Sequence, residues 1–283
     1  MNRREFVATG VGAVAAGSWP RPAIRFGYAA ITWNGNDRQA IDDISALGFR
    51  GIQLRQPAFD TWHDRPAELA ALLHERGLTF VALSSGEMPR APVDEAATLE
   101  THVHHAQFVR DVGGRYLQVI DQRPQGRDPG PADFKRMGRL LTELGRRSAD
   151  LGIPLGYHNH MGALGQSPDE VARVLDAADP RYVRLLLDIA HYQWAGGDPA
   201  DAVRRHAGRL LFLHVKDLAG DRFVELGRGT VDIKAVFSAL DQVGFEGWAV
   251  VELDSVPDAS RTPKECGAVA RRYLEALGWN VAR

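Results

Sequence analysis

A single cysteine, Cys266, stands in 283 residues. That excludes an internal disulfide framework and any cysteine-based zinc cluster. The metal donors that remain are the 10 histidines and the carboxylates. Charge of one sign is also missing: 34 Lys+Arg against 36 Asp+Glu leave a net charge of −2. No long-range field therefore draws the chain to nucleic acid or to an anionic membrane. No apolar run reaches the ~20 residues a bilayer requires, so a stable membrane span is not expected. A glycine-rich phosphate loop is absent as well. The first strand-like run passes into Thr32-Trp33-Asn34-Gly35-Asn36, which is not the fingerprint of a dinucleotide fold. Linkers, low-complexity segments and short-period repeats are not seen.

What is there begins with residues 1–23, which read as a unit apart. Asn2-Arg3-Arg4-Glu5-Phe6-Val7 leads into a modest Ala- and Gly-rich stretch that Ser18-Trp19-Pro20 breaks. This is the pattern of a twin-arginine export signal. It predicts a cleaved signal peptide over 1–23, the twin-arginine export machinery as a partner, and a periplasmic protein whose catalytic domain spans 24–283.

From residue 24 the text alternates. Strand-like apolar runs cover 24–32, 51–55, 78–84, 115–120, 153–158, 183–187, 210–215 and 248–253, with helical periodicity between them. Several helices end in Gly followed by a large residue, as in Gly77-Leu78 and Gly244-Phe245, a stop signal that opens directly into a strand. Eight β-then-α units over roughly 250 residues predict a single (β/α)₈ TIM barrel. With the phosphate loop missing, a doubly wound sheet is the weaker alternative.

The last four strands end alike. Tyr157-His158-Asn159-His160 closes the fifth, Asp188 and His191 the sixth, His214 and Lys216 the seventh, Glu252 and Asp254 the eighth. In a parallel barrel such ends converge on one face, where active sites of this architecture sit.

In this order, Asp188-Ile189-Ala190-His191, His214-Val215-Lys216-Asp217 and Val251-Glu252, preceded by Tyr-His-Asn-His, resemble the xylose isomerase-like TIM barrels. That superfamily includes sugar epimerases, isomerases and inosose dehydratase, and the resemblance covers residue 24 to about 278. It implies one divalent ion held by His158, Asp188, His214 and Glu252. Two positions depart from the commoner pattern: His158 replaces a glutamate, and Gln53 replaces a glutamate at the end of the second strand. The Tyr-His-Asn-His form is more similar to the inosose-dehydratase-like branch than to the hexulose epimerases. Two imidazoles and two carboxylates suit Mn²⁺ first, then Co²⁺, Fe²⁺ or Zn²⁺, with Mg²⁺ less well served. The formal charge of that set with a divalent ion is zero, which leaves the ion a strong Lewis acid.

Around this set, His160, His191, Lys216 and Glu252 are the candidate catalytic groups. His160 could orient His158 or touch substrate, and His191 could carry a proton. Lys216 could polarise a carbonyl, act as a base if its pKa were lowered, or simply pair with Asp217 or Asp188. Trp33, Gln53, Glu87, Tyr157 and Trp194 are candidate substrate contacts, the aromatic faces suiting a sugar ring. His102, His104 and His105 read as solvated or interface residues of a polar helix. The expected function is a divalent-metal-dependent isomerase or epimerase that works through an enediolate on a sugar, cyclitol or keto-sugar. A metal-dependent lyase or dehydratase on a keto-sugar, inosose or 3-keto-glycoside is the alternative, and a non-catalytic sugar-binding barrel is the reading of another class. An apurinic endonuclease would need more ligands and a basic surface. Assembly into a homo-oligomer is left open.

Overall fold

The computed structural model describes residues 24–282, so the expected export signal lies outside the described residues. Eight parallel strands close into a barrel: β1 (Ile24–Ala29), β2 (Gly51–Arg55), β3 (Thr79–Glu87), β4 (Tyr116–Ile120), β5 (Leu155–His158), β6 (Val183–Asp188), β7 (Leu210–Val215) and β10 (Gly247–Val251). Each strand pairs with its predecessor, and β1 closes on β10 with Gly27 beside Val250. This is the (β/α)₈ barrel expected from the alternation.

The helices pack outside. They are α1 (Asp37–Ala46), α2 (Gln56–Trp62), α3 (Pro66–Glu75), α4 (Glu95–Val112), α5 (Pro131–Asp150), α6 (Pro168–Ala177), α7 (Ile189–Trp194), α8 (Pro199–Arg205), α9 (Ile233–Gln242) and α10 (Pro263–Ala276). Local chemistry sets their ends. Ser167 with Glu170 and Thr262 with Glu265 form capping boxes that open α6 and α10, each with Pro at the first position. Gly77 and Gly244 both stand at φ +64°, the left-handed conformation that turns a helix end back toward a strand.

Two apolar layers hold the fold. One lies between strands and helices and includes Ile41, Ile44, Leu69, Leu140, Leu144 and Leu240. The other fills the barrel interior with Ala29, Val81, Ala82, Leu186, Phe212, Trp248 and Val250. Trp248 needs a gap to fit. A Cβ on Gly51 would lie 2.5 Å from both Trp248 Cζ3 and Val81 Cγ2, so only glycine is tolerated opposite the indole. These side chains plug the barrel below the strand ends, and polar groups are left for the layer above.

Three details were not legible as sequence. The first predicted strand stops at Ala29, and Ala30–Trp33 wind into a 3-10 turn. Two short helices, α2 and α7, follow β2 and β6 directly. A small antiparallel hairpin, β8 (Asp217–Ala219) with β9 (Arg222–Val224), rises after β7. Asp217 anchors the loop beyond it by accepting from the backbone N–H groups of Leu218, Gly227, Gly229 and Val231.

Candidate metal centre

A strand sends alternate side chains to opposite faces, and that parity decides which residues share the barrel mouth. Phe212 and Trp248 fill the interior, so His214 and Lys216, and Glu252 and Asp254, continue the same face of their strands. The same rule carries His158, Asp188 and Gln118 inward. His158, Asp188, His214 and Glu252 are all buried, and one ligand atom from each lies within 4.8 Å of the other three.

The contacts inside the quartet are too long to satisfy it. Asp188 Oδ2 stands 3.6 Å from both His158 Nε2 and His214 Nδ1. His214 Nδ1 lies 3.1 Å from Glu252 Oε2, yet not in hydrogen-bonding geometry. His158 Nε2, Asp188 Oδ2 and His214 Nδ1 are buried polar atoms with no hydrogen-bond partner in the protein. Leaving one such atom unmet costs about 1–3 kcal/mol. Three of them facing one another fit a site built to hold a cation. The other oxygen of Asp188 is already engaged, accepting from the N–H groups of Ala190 and His191 at the start of α7. Only Oδ2 is free to face the centre.

Electrostatics separate the two imidazoles of the quartet. Burial pushes His158 down to about 4. Burial acts the same way on His214, but the carboxylates of Glu252 and Asp188 overcome it and raise this ring to about 9. Asp188 and Glu252 are held well below the carboxylate range: the cations and imidazoles around them, His191 and Lys216 for Asp188 and His214 and Lys216 for Glu252, outweigh burial.

Lys216 is buried, and its ammonium reaches Asp254 Oδ1 at 2.6 Å and Glu252 Oε2 at 3.2 Å. It also lies 4.1 Å above the ring of Phe223 from the hairpin. Despite burial, these carboxylates raise its pKa further. The condition for acting as a base, a lowered pKa, is reversed here. Nor does Lys216 pair with Asp217, whose carboxylate is spent on the loop. His191 is buried, and burial drives it down to about 2, so it is neutral. Its Nδ1 accepts from the Met161 N–H. His160 is half-buried, and its Nδ1–H donates to Met161 O at 2.7 Å, which leaves Nε2 with a free lone pair.

A cavity of about 110 Å³ opens over the quartet, lined by Gln53, Arg55, Gln118, His158, His160, Glu252 and Asp254, with Ile31, Ser84 and Ile120. A larger groove of about 390 Å³ lies between α9 and the end of α10, but no cluster of metal donors lines it.

Among the expected substrate contacts, Gln53 lines the cavity and accepts from His214 Nε2–H at 2.9 Å. The others do not line it. Tyr157 has the wrong parity: it is fully buried between barrel and helices, and its hydroxyl donates to Asp121 at 2.7 Å. Trp33 is buried at the end of the 3-10 turn, with Nε1–H donating to Asp43. Trp194 is 39% exposed at the end of α7. Glu87 is exposed at the end of β3 and accepts from Gln122. His102 and His105 are not solvated either. Both are buried, and each places Nδ1 on Ser85 Oγ, at 2.6 and 2.7 Å. The 18-residue length of α4 hid this, because its polar residues are spread around the helix and the histidine positions face β3.

Gln118, Asp254, Arg55 and Phe223 complete the neighbourhood without having been assigned roles from sequence. A period-2 count back from His158 across the β4–β5 pairing, where Gln118 sits beside Gly156, would have found Gln118.

Residues 41–276 match the xylose isomerase-like TIM barrel family, and the chain belongs to it. Among its relatives is an inosose dehydratase of Lacticaseibacillus casei, 27% identical and covering 89% of this chain and 97% of its own. The rhizopine catabolism protein MocC of Rhizobium meliloti is 28% identical over 83% of each chain. The chain's fold is similar to the crystal structure of the IOLI protein with a bound zinc atom, with a TM-score of 0.77, 17% identity, and coverage of 90% of this chain and 98% of that one. It is also similar to a probable 3-DHS dehydratase, AsbF, of Bacillus anthracis, with a TM-score of 0.70, 16% identity and coverage of 89% and 99%.

Proposed function

We propose that this protein is a divalent-metal-dependent lyase that removes water, or an equivalent β-oxygen substituent, from a keto-cyclitol or keto-sugar. The observation that carries the reading is the composition of the cavity wall. Proton transfer on both faces of a carbon, as reversible epimerisation needs, calls for two facing acid–base groups. The end of β2 offers instead the neutral amide of Gln53, already bonded to His214. The dehydratase names among the relatives support elimination over the isomerase or epimerase reading.

His158, Asp188, His214 and Glu252 would hold the ion, whose Lewis acidity makes the carbon beside a carbonyl more acidic. His160, which lines the cavity with its Nδ1–H tied to Met161, would take that carbon's proton through Nε2. Burial keeps the Asp254 carboxyl above its usual range, against the pull of Lys216. His160 would then pass the carbon's proton to the departing hydroxyl, which leaves as water, while Asp254 stays paired with the Lys216 ammonium at 2.6 Å. Lys216 stays charged, and it and the neutral His191 keep the wall's polarity constant through the turnover.

The test is a panel of inososes, 3-keto-sugars and simple ketoses with added Mn²⁺, followed by product NMR and mass. Products lighter by one water, or by the lost substituent, are expected from the keto-cyclitols or keto-glycosides. Products of unchanged mass with inverted or shifted carbons would return the reading to isomerisation. We also propose export through the twin-arginine route on the strength of Arg3 and Arg4. Changing both to Lys should leave the precursor uncleaved in the cytoplasm, and normal periplasmic delivery would end that proposal.

A further inference from the structure

Each of the two imidazoles in the quartet is gripped by a glutamine from the opposite half of the barrel, and the two grips run in opposite senses. Gln53 turns its Oε1 to His214 Nε2 at 2.9 Å. A carbonyl oxygen only accepts, so the ring proton sits on Nε2, and it is Nδ1 that faces Asp188 and Glu252. Gln118 does the reverse. Its Nε2 lies 3.1 Å from His158 Nδ1. An amide NH₂ only donates, which makes Nδ1 the acceptor and places the ring proton on His158 Nε2. That nitrogen is the one aimed at Asp188 Oδ2, 3.6 Å away. With the amide turned this way, the ring proton sits on the only nitrogen of His158 that faces the centre of the quartet. On the far side of the same amide, Gln118 Oε1 is buried with no hydrogen-bond partner in the protein.

The mismatch at His158 is removed if the amide turns over. Half a turn about its last side-chain bond exchanges Nε2 and Oε1 without changing the group's shape, so the packing around it is kept. Oε1 then accepts from His158 Nδ1–H, and His158 Nε2 presents a lone pair to the centre. We propose that Gln118 is a positioning residue that sets the tautomer of His158, and that its amide turns over when a divalent cation enters the quartet. The proposal rests on the metal reading above and adds to it an asymmetry: Gln53 keeps the outer nitrogen of His214 protonated and turns Nδ1 to the centre, whereas the tautomer of His158 must be switched by Gln118.

Nitrogen NMR of the ¹⁵N-labelled full chain, metal-free and loaded with Zn²⁺, reads ring tautomers directly. Without metal, His158 should show its proton on Nε2. With Zn²⁺ it should move to Nδ1, while His214 keeps its proton on Nε2 in both states. Gln118→Glu offers only acceptors, so its metal-free form should already hold His158 as the Nδ1–H tautomer and bind Zn²⁺ at least as tightly. Gln118→Met offers neither donor nor acceptor and should lower Zn²⁺ affinity about 10–100-fold in chelator competition, the usual range for a partner that orients a metal-binding histidine. A merely structural glutamine would move affinity or stability, but not the tautomer in Gln118→Glu. His158 already protonated on Nδ1 in the metal-free parent, or Gln118→Met binding Zn²⁺ as well as the parent, overturns the proposal and leaves the metal reading standing. If the parent binds no Zn²⁺, both fall together.

Discussion

The two halves of the barrel mouth end in different chemistry. β5, β6, β7 and β10 finish in His158, Asp188, His214 and Glu252, with Lys216 and Asp254 just beyond. β1 to β4 bring mainly neutral polar groups to the mouth, Thr32, Gln53, Ser84 with Ser85, and Gln118; the Arg55 cation at the end of β2 and the exposed Glu87 at the end of β3 are the exceptions. Thr32 donates to Leu253 O at 2.6 Å, and the two glutamines hold the outer nitrogens of the two histidines. The carboxylates and imidazoles that would bind a cation are thus concentrated on one wall, and two glutamines of the other wall orient its histidines. The β2 position, Gln53, serves His214 and adds no charge of its own.

Breaking the charged wall should have the largest effect. Asp188→Asn keeps an acceptor for the start of α7 and removes the anionic oxygen from the centre. Metal affinity should drop by more than about 100-fold, beyond the range for an orienting partner, with circular dichroism unchanged. Full activity with the metal stripped out would defeat the division.

The neutral wall carries its own pH dependence, independent of metal. His102 Nε2–H donates to Glu87 O, which leaves its Nδ1 to accept from Ser85 Oγ–H, while His105 Nδ1–H donates to that oxygen. A proton added to His102 Nδ1 would face a hydroxyl already used as an acceptor. Burial accordingly pushes His102 down to about 4 from 6.5. The unfolded chain therefore takes up a proton near pH 6.5 that the folded chain refuses until about pH 4. Stability is unaffected above this window and falls as pH drops through it, by roughly 3 kcal/mol at its lower end. His102→Gln should flatten that part of the curve in denaturant titrations from pH 7 to 4. An unchanged slope would show that His102 takes its proton freely.

Gln53→Met tests the neutral wall at the site itself. Zn²⁺ affinity should fall about 10–100-fold, less than for Asp188→Asn, and no change would separate Gln53 from the centre. Smallest should be Tyr157→Phe. The hydroxyl it removes is buried against Asp121 and is not part of the cavity's lining, so stability should drop by about 1–3 kcal/mol with kcat/KM nearly unchanged. A selective loss of kcat/KM would return Tyr157 to the substrate.

Much of this site could be read in the sequence because strand ends are local features. An apolar run that stops at a histidine or carboxylate says where the side chain stands along the barrel axis. Facing is a different matter. Tyr157 and His158 are neighbours in the same motif, yet one points to Asp121 behind the barrel and the other to the centre. Motif reading took both. Trp33 failed for a related reason: the first apolar run did not continue as strand, and the 3-10 turn carried the indole back to α1. His102 and His105 looked solvated because a long polar helix gives a weak apolar stripe, and only Ser85, from a separate strand, reveals which face is buried.

The sequence by itself determined the alternation of strands and helices, and so the barrel, because apolar periodicity, capping residues and helix-ending glycines act over a few residues. It also determined which strand ends carry donors. Tertiary structure alone decided which of those donors meet and in what state. The 4.8 Å quartet, the opposite shifts of His158 and His214, and the glutamines set against their outer nitrogens arise between strands far apart in the chain. Electrostatic and hydrogen-bond effects depend on distance in space, and the closure of the barrel sets those distances.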